Sequence, residues 1–161
     1  MELYFLRHAR AVAREEWHGP DGRRPLTKRG IALMQREAVA LAELDLGLDL
    51  IVTSPLERAR HTAEIAAEEL GLKRKLLKSS ALSPGFSVRK LARVLASRPK
   101  ASRVMLVGHE PDFSRVVSEL VGGGRIVFQK GCLARVDVAG AAVEAGRGKL
   151  VWLLQPGPLT R

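Results

Sequence analysis

The sequence predicts an α/β fold, a three-layer αβα sandwich with a mostly parallel central sheet, formed by a single domain over residues 1–161. Three observations predict it. Leu3–Leu6 and Val104–Val107 are short, wholly apolar runs and Leu50–Thr53 is nearly one, as expected of strands buried on both faces. Segments with helical spacing and capping signals lie between these runs. Strands alternating with helices imply parallel pairing, with helices on both sides of the sheet. A chain of 161 residues, 46% hydrophobic and 27% charged, can bury a full core without staples.

The elements follow in order. Leu3–Leu6 ends abruptly at Arg7-His8, and a polar, Gly/Pro-bearing loop occupies residues 9–26. Thr27 can N-cap a helix running to Leu44, with Ile31, Met34, Ala38, Leu41 and Leu44 near helical spacing. After the strand Leu50–Thr53, Ser54 and Glu57 fit a capping box, and Pro55 stands at the first helical position, where its missing N–H does no harm. Gly71 closes that helix. A short strand is expected near Leu76. A third helix covers Ser87–Ala96 and stops before Pro99. Val104–Val107 is followed at once by Gly108-His109, then by a fourth helix from Pro111 to Val121. Beyond Gly122-Gly123-Gly124 the pattern turns strand-like at Ile126–Phe128, Leu133–Val138 and Leu150–Leu154, a meander completing the sheet.

Composition narrows the function. The net charge is +10, from 27 Lys and Arg against 17 Asp and Glu, and such a field attracts anions. The basic residues are spread along the chain, apart from a cluster at Lys73–Lys78, and most read as solvated surface. At 4% aromatic residues a base-stacking platform is hard to build, so no specific nucleic-acid partner is expected. A nucleic-acid binder driven by charge alone would lose affinity steeply with salt and be indifferent to loss of His8. Cys132 is the single cysteine and cannot form an internal disulfide, which fits a reducing compartment. Glu2 and Arg7 bracket too few apolar residues for a signal peptide, and no run approaches the roughly 20 a membrane helix needs. A soluble, cytoplasmic protein without a membrane partner is expected. The sequence carries no signal of oligomeric state.

Three polar clusters stand directly beyond the carboxyl ends of the expected parallel strands: Arg7-His8, Ser54 through Arg58, and Gly108-His109. In open α/β sheets that edge binds ligands. Taken singly, each residue has a plain explanation: a histidine at a strand end is commonly structural, Arg58 a solvated helix residue, Gly108 a tight turn. Their recurrence at equivalent places argues for a site. Neutral imidazole is a competent nucleophile, Arg offers a planar fork matched to two phosphoryl oxygens, and a second histidine, if protonated, adds a donor. A helix start contributes free N–H groups. Phosphoryl transfer needs little more than such positioning and charge stabilisation. Ser54, Glu110 and His61 are secondary candidates; His61 lies one turn after Arg58, on a helix its periodicity already explains, and His18 sits in a polar loop. No nucleotide-binding P-loop and no Gly-x-Ser-x-Gly elbow occur. Cys132 lacks a partner for a zinc site, and arginines beside the histidines oppose a cation.

Leu3-Tyr4-Phe5-Leu6-Arg7-His8-Ala9 resembles the Arg-His-Gly signature of the histidine phosphatase (phosphoglycerate mutase-like) superfamily. Ser54-Pro55-Leu56-Glu57-Arg58-Ala59 with Thr62-Ala63 is similar to its second motif, and Val107-Gly108-His109-Glu110-Pro111 to its third. The short length, Arg24-Pro25-Leu26-Thr27 with Gly30, and Leu82-Ser83-Pro84-Gly85 resemble the SixA-type phosphohistidine phosphatases. The resemblance implies a phosphoglycerate mutase-like fold and a phosphatase without metal or cofactor. In it His8 is the nucleophile, transiently phosphorylated, while Arg7, Arg58 and His109 bind the phosphoryl oxygens. Two departures stand out. Ala9 replaces glycine, and would be strained if its backbone had to be left-handed. Ser79–Ser87 contains no Asp or Glu, where larger members carry an acid that protonates an alkoxide leaving group. A P–N bond needs that acid less, so a phosphohistidine protein, such as a phosphotransfer domain of a signalling relay, is the expected substrate. A small-molecule phosphomonoesterase acting on a sugar or nucleotide phosphate is the alternative within the enzymes. A non-catalytic phosphate- or phosphoprotein-binding module is the alternative outside them.

Overall fold

The computed structural model describes residues 1–139 and 143–156. Four strands and four helices alternate before a final hairpin: β1 (Glu2–Arg7), α1 (Lys28–Glu43), β2 (Leu50–Thr53), α2 (Glu57–Glu69), β3 (Leu76–Lys78), α3 (Val88–Ala96), β4 (Arg103–Gly108), α4 (Asp112–Leu120), β5 (Leu133–Val138) and β6 (Gly148–Leu154). The sheet order is β3-β2-β4-β1-β5-β6. The first four strands in that order run parallel, while β5 is antiparallel to β1 and β6 to β5. Arg7 pairs with Gly108 and Thr53 with Val107, so β1, β2 and β4 end level. That register brings His8, Ser54 and His109 to one rim.

Alternation along β1 feeds two cores. Leu3 and Phe5 pack with Leu91, Leu95, Phe113 and Val117 of α3 and α4. Tyr4 and Leu6 pack with Met34, Leu41, Ala59 and Ala63 of α1 and α2. The inner face of α2 is built from Ala59, Ala63, Ala66 and Ala67, whose short side chains let the helix lie close to the sheet. Thr27 caps α1 by accepting from the Gly30 N–H at 2.9 Å. Ser87 likewise caps α3. Gly71, at φ +67°, ends α2 in the left-handed conformation that glycine adopts without strain.

Two expectations fail here. The capping box does not form: α2 begins at Glu57 with Leu56 as N-cap and no side-chain cap. Glu57 instead pairs with Arg60 at 2.6 Å, and the Ser54 hydroxyl is engaged elsewhere. Ile126–Phe128 is not a strand. β1 already has β4 and β5 as neighbours, and the Phe128 carbonyl is taken by the Arg7 side chain. The Phe128 ring fills the core against Phe113, centroids 6.2 Å apart.

The segment over residues 9–26 closes on itself at its neck. Ala11 bridges Leu26, Val12 N–H donates to the Pro25 carbonyl and Thr27 N–H to the Arg10 carbonyl. Gly30 permits this closure: a Cβ there would stand 2.1 Å from the Arg10 carbonyl oxygen.

Candidate active site

The site is assembled where β1, β2 and β4 end. His8 and His109 face each other with ring centroids 5.3 Å apart, and both are buried. His8 Nδ1 lies 2.8 Å from the Ala9 carbonyl oxygen. A carbonyl can only accept, so Nδ1 carries the proton and Nε2 keeps its lone pair. The Ala9 N–H donates to Thr62 Oγ1, and the Thr62 hydroxyl donates to the Arg58 carbonyl. Thr62 thus fastens the residue after the histidine to α2. Asp45 is the one non-glycine residue with positive φ among the described residues, so Ala9 carries no left-handed strain.

His109 Nε2 lies 2.8 Å from Ser54 Oγ, which also accepts from the Leu56 N–H. The Ser54 hydroxyl proton has no other acceptor among the described residues, so it goes to Nε2, which places the imidazole proton on Nδ1. His109 Nδ1 is buried and has no partner. Gly108 lets this turn form, because a Cβ there would stand 2.7 Å from the Phe113 ring.

The two arginines are tethered in parallel ways. Arg7 Nη1 donates to the Phe128 carbonyl at 2.6 Å. Arg58 Nη1 donates to the Asp21 carbonyl at 3.0 Å, and Nη2 to Asp21 Oδ2 at 3.2 Å. In both, Nε is buried without a partner. Buried orphan donors are rare in native proteins and call for an explanation. The two Nε atoms and His109 Nδ1 make three of them in one cationic site.

Burial sets the protonation of the histidines. It pushes the His8 pKa down to about 3; the hydrogen bond to Ala9 opposes this, and His109, Arg58 and Arg7 reinforce it. Burial and then Arg58 push His109 down to about 4. His109 is therefore neutral near pH 7 and offers one N–H, not two. The two imidazoles beside guanidinium groups do not suit a cation, and among the described residues no group of three or more His, Cys, Asp or Glu side chains could hold a metal ion.

The secondary candidates divide. Ser54 is in the site, through His109. Both Glu110 carboxylate oxygens accept from Ser114, its N–H at 3.0 Å and its hydroxyl, so Glu110 closes the first turn of α4. His61 is half-buried on α2 and takes no part in the hydrogen bonds of the cluster. The acid-free stretch around Gly85 is anchored by Asp112, whose Oδ2 accepts from Gly85 and Phe86 N–H. Asp21 and the Phe128 carbonyl are parts of the site that sequence reasoning missed, and Thr62 was named in the second motif without a role. The spacing of Thr62 from Arg58, one helical turn, was a usable signal; the other two had none.

Residues 3–80 match the family model of the histidine phosphatase superfamily (branch 1). An uncharacterised protein of Picosynechococcus sp. (strain ATCC 27264 / PCC 7002 / PR-6) is 39% identical over 126 residues, 76% of this chain and 74% of that one. The chain belongs to the histidine phosphatase superfamily. Its fold is that of solved members of this superfamily. The structure of the protein histidine phosphatase SixA complexed with tungstate superposes with a TM-score of 0.86 at 24% identity, covering 99% of each chain. That of a mycobacterial glucosyl-3-phosphoglycerate phosphatase complexed with VO3 gives 0.74 at 18% identity, covering 94% of this chain and 98% of that one. The histidine phosphatase fold thus serves proteins named for both protein and small-molecule substrates. Among the described residues no helix is long and apolar enough to cross a membrane.

Proposed function

We propose that this histidine phosphatase hydrolyses phosphohistidine in proteins through a phosphorylated His8 intermediate. The observation that carries this is the fixed tautomer of His8, a free Nε2 lone pair set beside orphan donors of Arg7, Arg58 and His109. Nε2 attacks phosphorus while the P–N bond of the substrate breaks. The electron pair leaves with the substrate imidazole, which is protonated from solvent. Arg7, Arg58 and the His109 Nδ1–H take up charge on the phosphoryl oxygens as it develops. Water then attacks phospho-His8, releasing inorganic phosphate and restoring neutral imidazole. The tungstate and VO3 in the structures named above are oxyanions of the kind these donors would hold.

The leaving group favours a P–N over a P–O bond. Asp112 and Glu110 are committed to hydrogen bonds within the fold, and Ser79–Ser87 supplies no acid for an alkoxide. A small-molecule phosphomonoesterase would use the same four residues, and the fold does not separate the two readings, since a glucosyl-3-phosphoglycerate phosphatase shares it.

The test is phosphate release from a phosphohistidine protein and from p-nitrophenyl phosphate, in EDTA, for wild type and His8→Ala. Release from phosphohistidine that disappears in the variant is the expected result. Brisk hydrolysis of the ester alone would move the substrate to a small molecule. No release from either, by folded protein, would leave a binding module.

A further inference from the structure

We propose that Asp21 is a positioning residue that sets which edge of Arg58 meets the phosphoryl group; this rests on the phosphatase reading above. A guanidinium can grip two oxygens at once along either of two kinds of edge, one through both Nη atoms and one through Nε and the adjacent Nη. Asp21 occupies the first, with its backbone carbonyl on Nη1 and its carboxylate on Nη2. The Nε side is left buried and without a partner. An arginine on a helix otherwise has several rotamers open to it, and holding one of its edges leaves the other aimed.

Asp21 is itself held. It lies in a 3-10 turn, Asp21–Arg23, within the loop over residues 9–26. Oδ1 meets Arg24 Nε at 3.0 Å and Arg14 Nη1 at 2.7 Å, and Arg24 Nη1 ties back to the Val12 carbonyl at 2.9 Å. The loop neck thus carries the carboxylate to a fixed point over α2. Two other roles fit less well. Burial raises the Asp21 pKa, but Arg58, Arg24 and Arg14 outweigh it and hold the carboxyl below its ordinary range, so it is no proton source near neutral pH. A plug competing with substrate would cover the Nε side, which Asp21 leaves free.

The experiment is a double-mutant cycle on Asp21→Ala and Arg58→Ala, read as kcat/KM for a phosphohistidine protein and for p-nitrophenyl phosphate, and as binding of inorganic phosphate by calorimetry. A charge-assisted bond of this kind corresponds to a loss of about 10- to 100-fold for Asp21→Ala. In the Arg58→Ala background the further loss should be under about 3-fold, since a residue acting through Arg58 has nothing left to position. Asp21→Asn keeps the shape and the carbonyl and should fall between wild type and Asp21→Ala; it carries the test if Asp21→Ala does not fold. An unchanged rate, a gain in phosphate affinity, or an equal loss in the Arg58→Ala background would each overturn the proposal. If wild type binds phosphate but hydrolyses neither substrate, the phosphatase reading fails and the binding cycle still decides Asp21. If it does not bind phosphate, both fall.

Discussion

Ser54 Oγ lies 2.8 Å from His109 Nε2 and so joins the end of β2 to the end of β4 beneath the site. The same hydroxyl accepts from the Leu56 N–H, and its own proton has no acceptor but the imidazole among the described residues. One side chain thereby forgoes capping α2 and sets the tautomer of a site histidine.

Replacing Ser54 by Ala should therefore release His109 to a mixture of tautomers. We expect kcat/KM to fall about 10-fold, the equivalent of one neutral hydrogen bond. Ring nitrogen chemical shifts should report His109 as the Nδ1–H form in wild type and as both forms in the variant. A single unchanged tautomer in Ser54→Ala would remove Ser54 from this role.

Neither site histidine should titrate near neutrality in the unliganded protein. With folded pKa values pushed down to about 3 and about 4, His8 and His109 stay neutral from pH 5.5 to 8. Their ring-proton shifts should be flat across that range. The stability consequence has a definite sign. Unfolded histidine binds a proton near pH 6.5 and these two do not, so their contribution is fully present above that pH and is lost as the pH falls toward 4 and then 3. A midpoint near 6.5 for either ring would show that the site is wetter than described.

Glu37 works in the opposite sense. It is 3% exposed on α1, one of its carboxylate oxygens has no partner, and burial pushes its pKa up to about 7 despite Arg36. The folded protein holds the Glu37 proton between its unfolded pKa and about 7, so stability from this group is present at low pH and is lost as the pH rises through that window. At about 1.4 kcal/mol per unit the loss at pH 8 is on the order of 3 kcal/mol. Glu37→Gln should raise the Tm at pH 8 and remove the fall in stability that Glu37 causes as the pH rises through that window. An equal Tm at pH 8 would mean that ionised Glu37 finds water or a cation.

Gly30→Ala should open the neck of the loop over residues 9–26. The new methyl would meet the Arg10 carbonyl oxygen at 2.1 Å, a backbone atom that cannot move alone. We expect about 2–3 kcal/mol of destabilisation, as for other overpacked positions. Faster trypsin cleavage at Arg14 and Arg23 should accompany it. A normal Tm with unaltered proteolysis would show that α1 shifts to make room.

The order of elements was legible because β1, β2 and β4 are built on apolar runs that give way to polar residues, and α1 and α3 start at residues suited to capping. Thr27 and Ser87 kept that local role; Ser54 did not, because a partner far along the chain competes for its hydroxyl. The four residues Arg7, His8, Arg58 and His109 were legible through topology, since parallel strands in register must bring their ends together. Asp21 was not. An aspartate in a polar loop looks like any solvated acid until the fold sets Arg58 against it. The Phe128 carbonyl was illegible in a stronger sense, because every residue has a carbonyl and only the path of the chain selects one. The strain considered for Ala9 turned on a φ angle that apolar patterning does not encode.

The tether from Phe128 to Arg7 also bears on how the molecule comes into being. Arg7, His8, Arg58 and His109 all leave the ribosome before the segment that pins Arg7 and pairs with β1 through β5. A nascent chain halted after α4 would carry all four candidate residues and still lack the carbonyl that holds Arg7. The placement of Arg7 is in this sense a late event, reached only once the segment before β5 has been made and β5 has paired with β1.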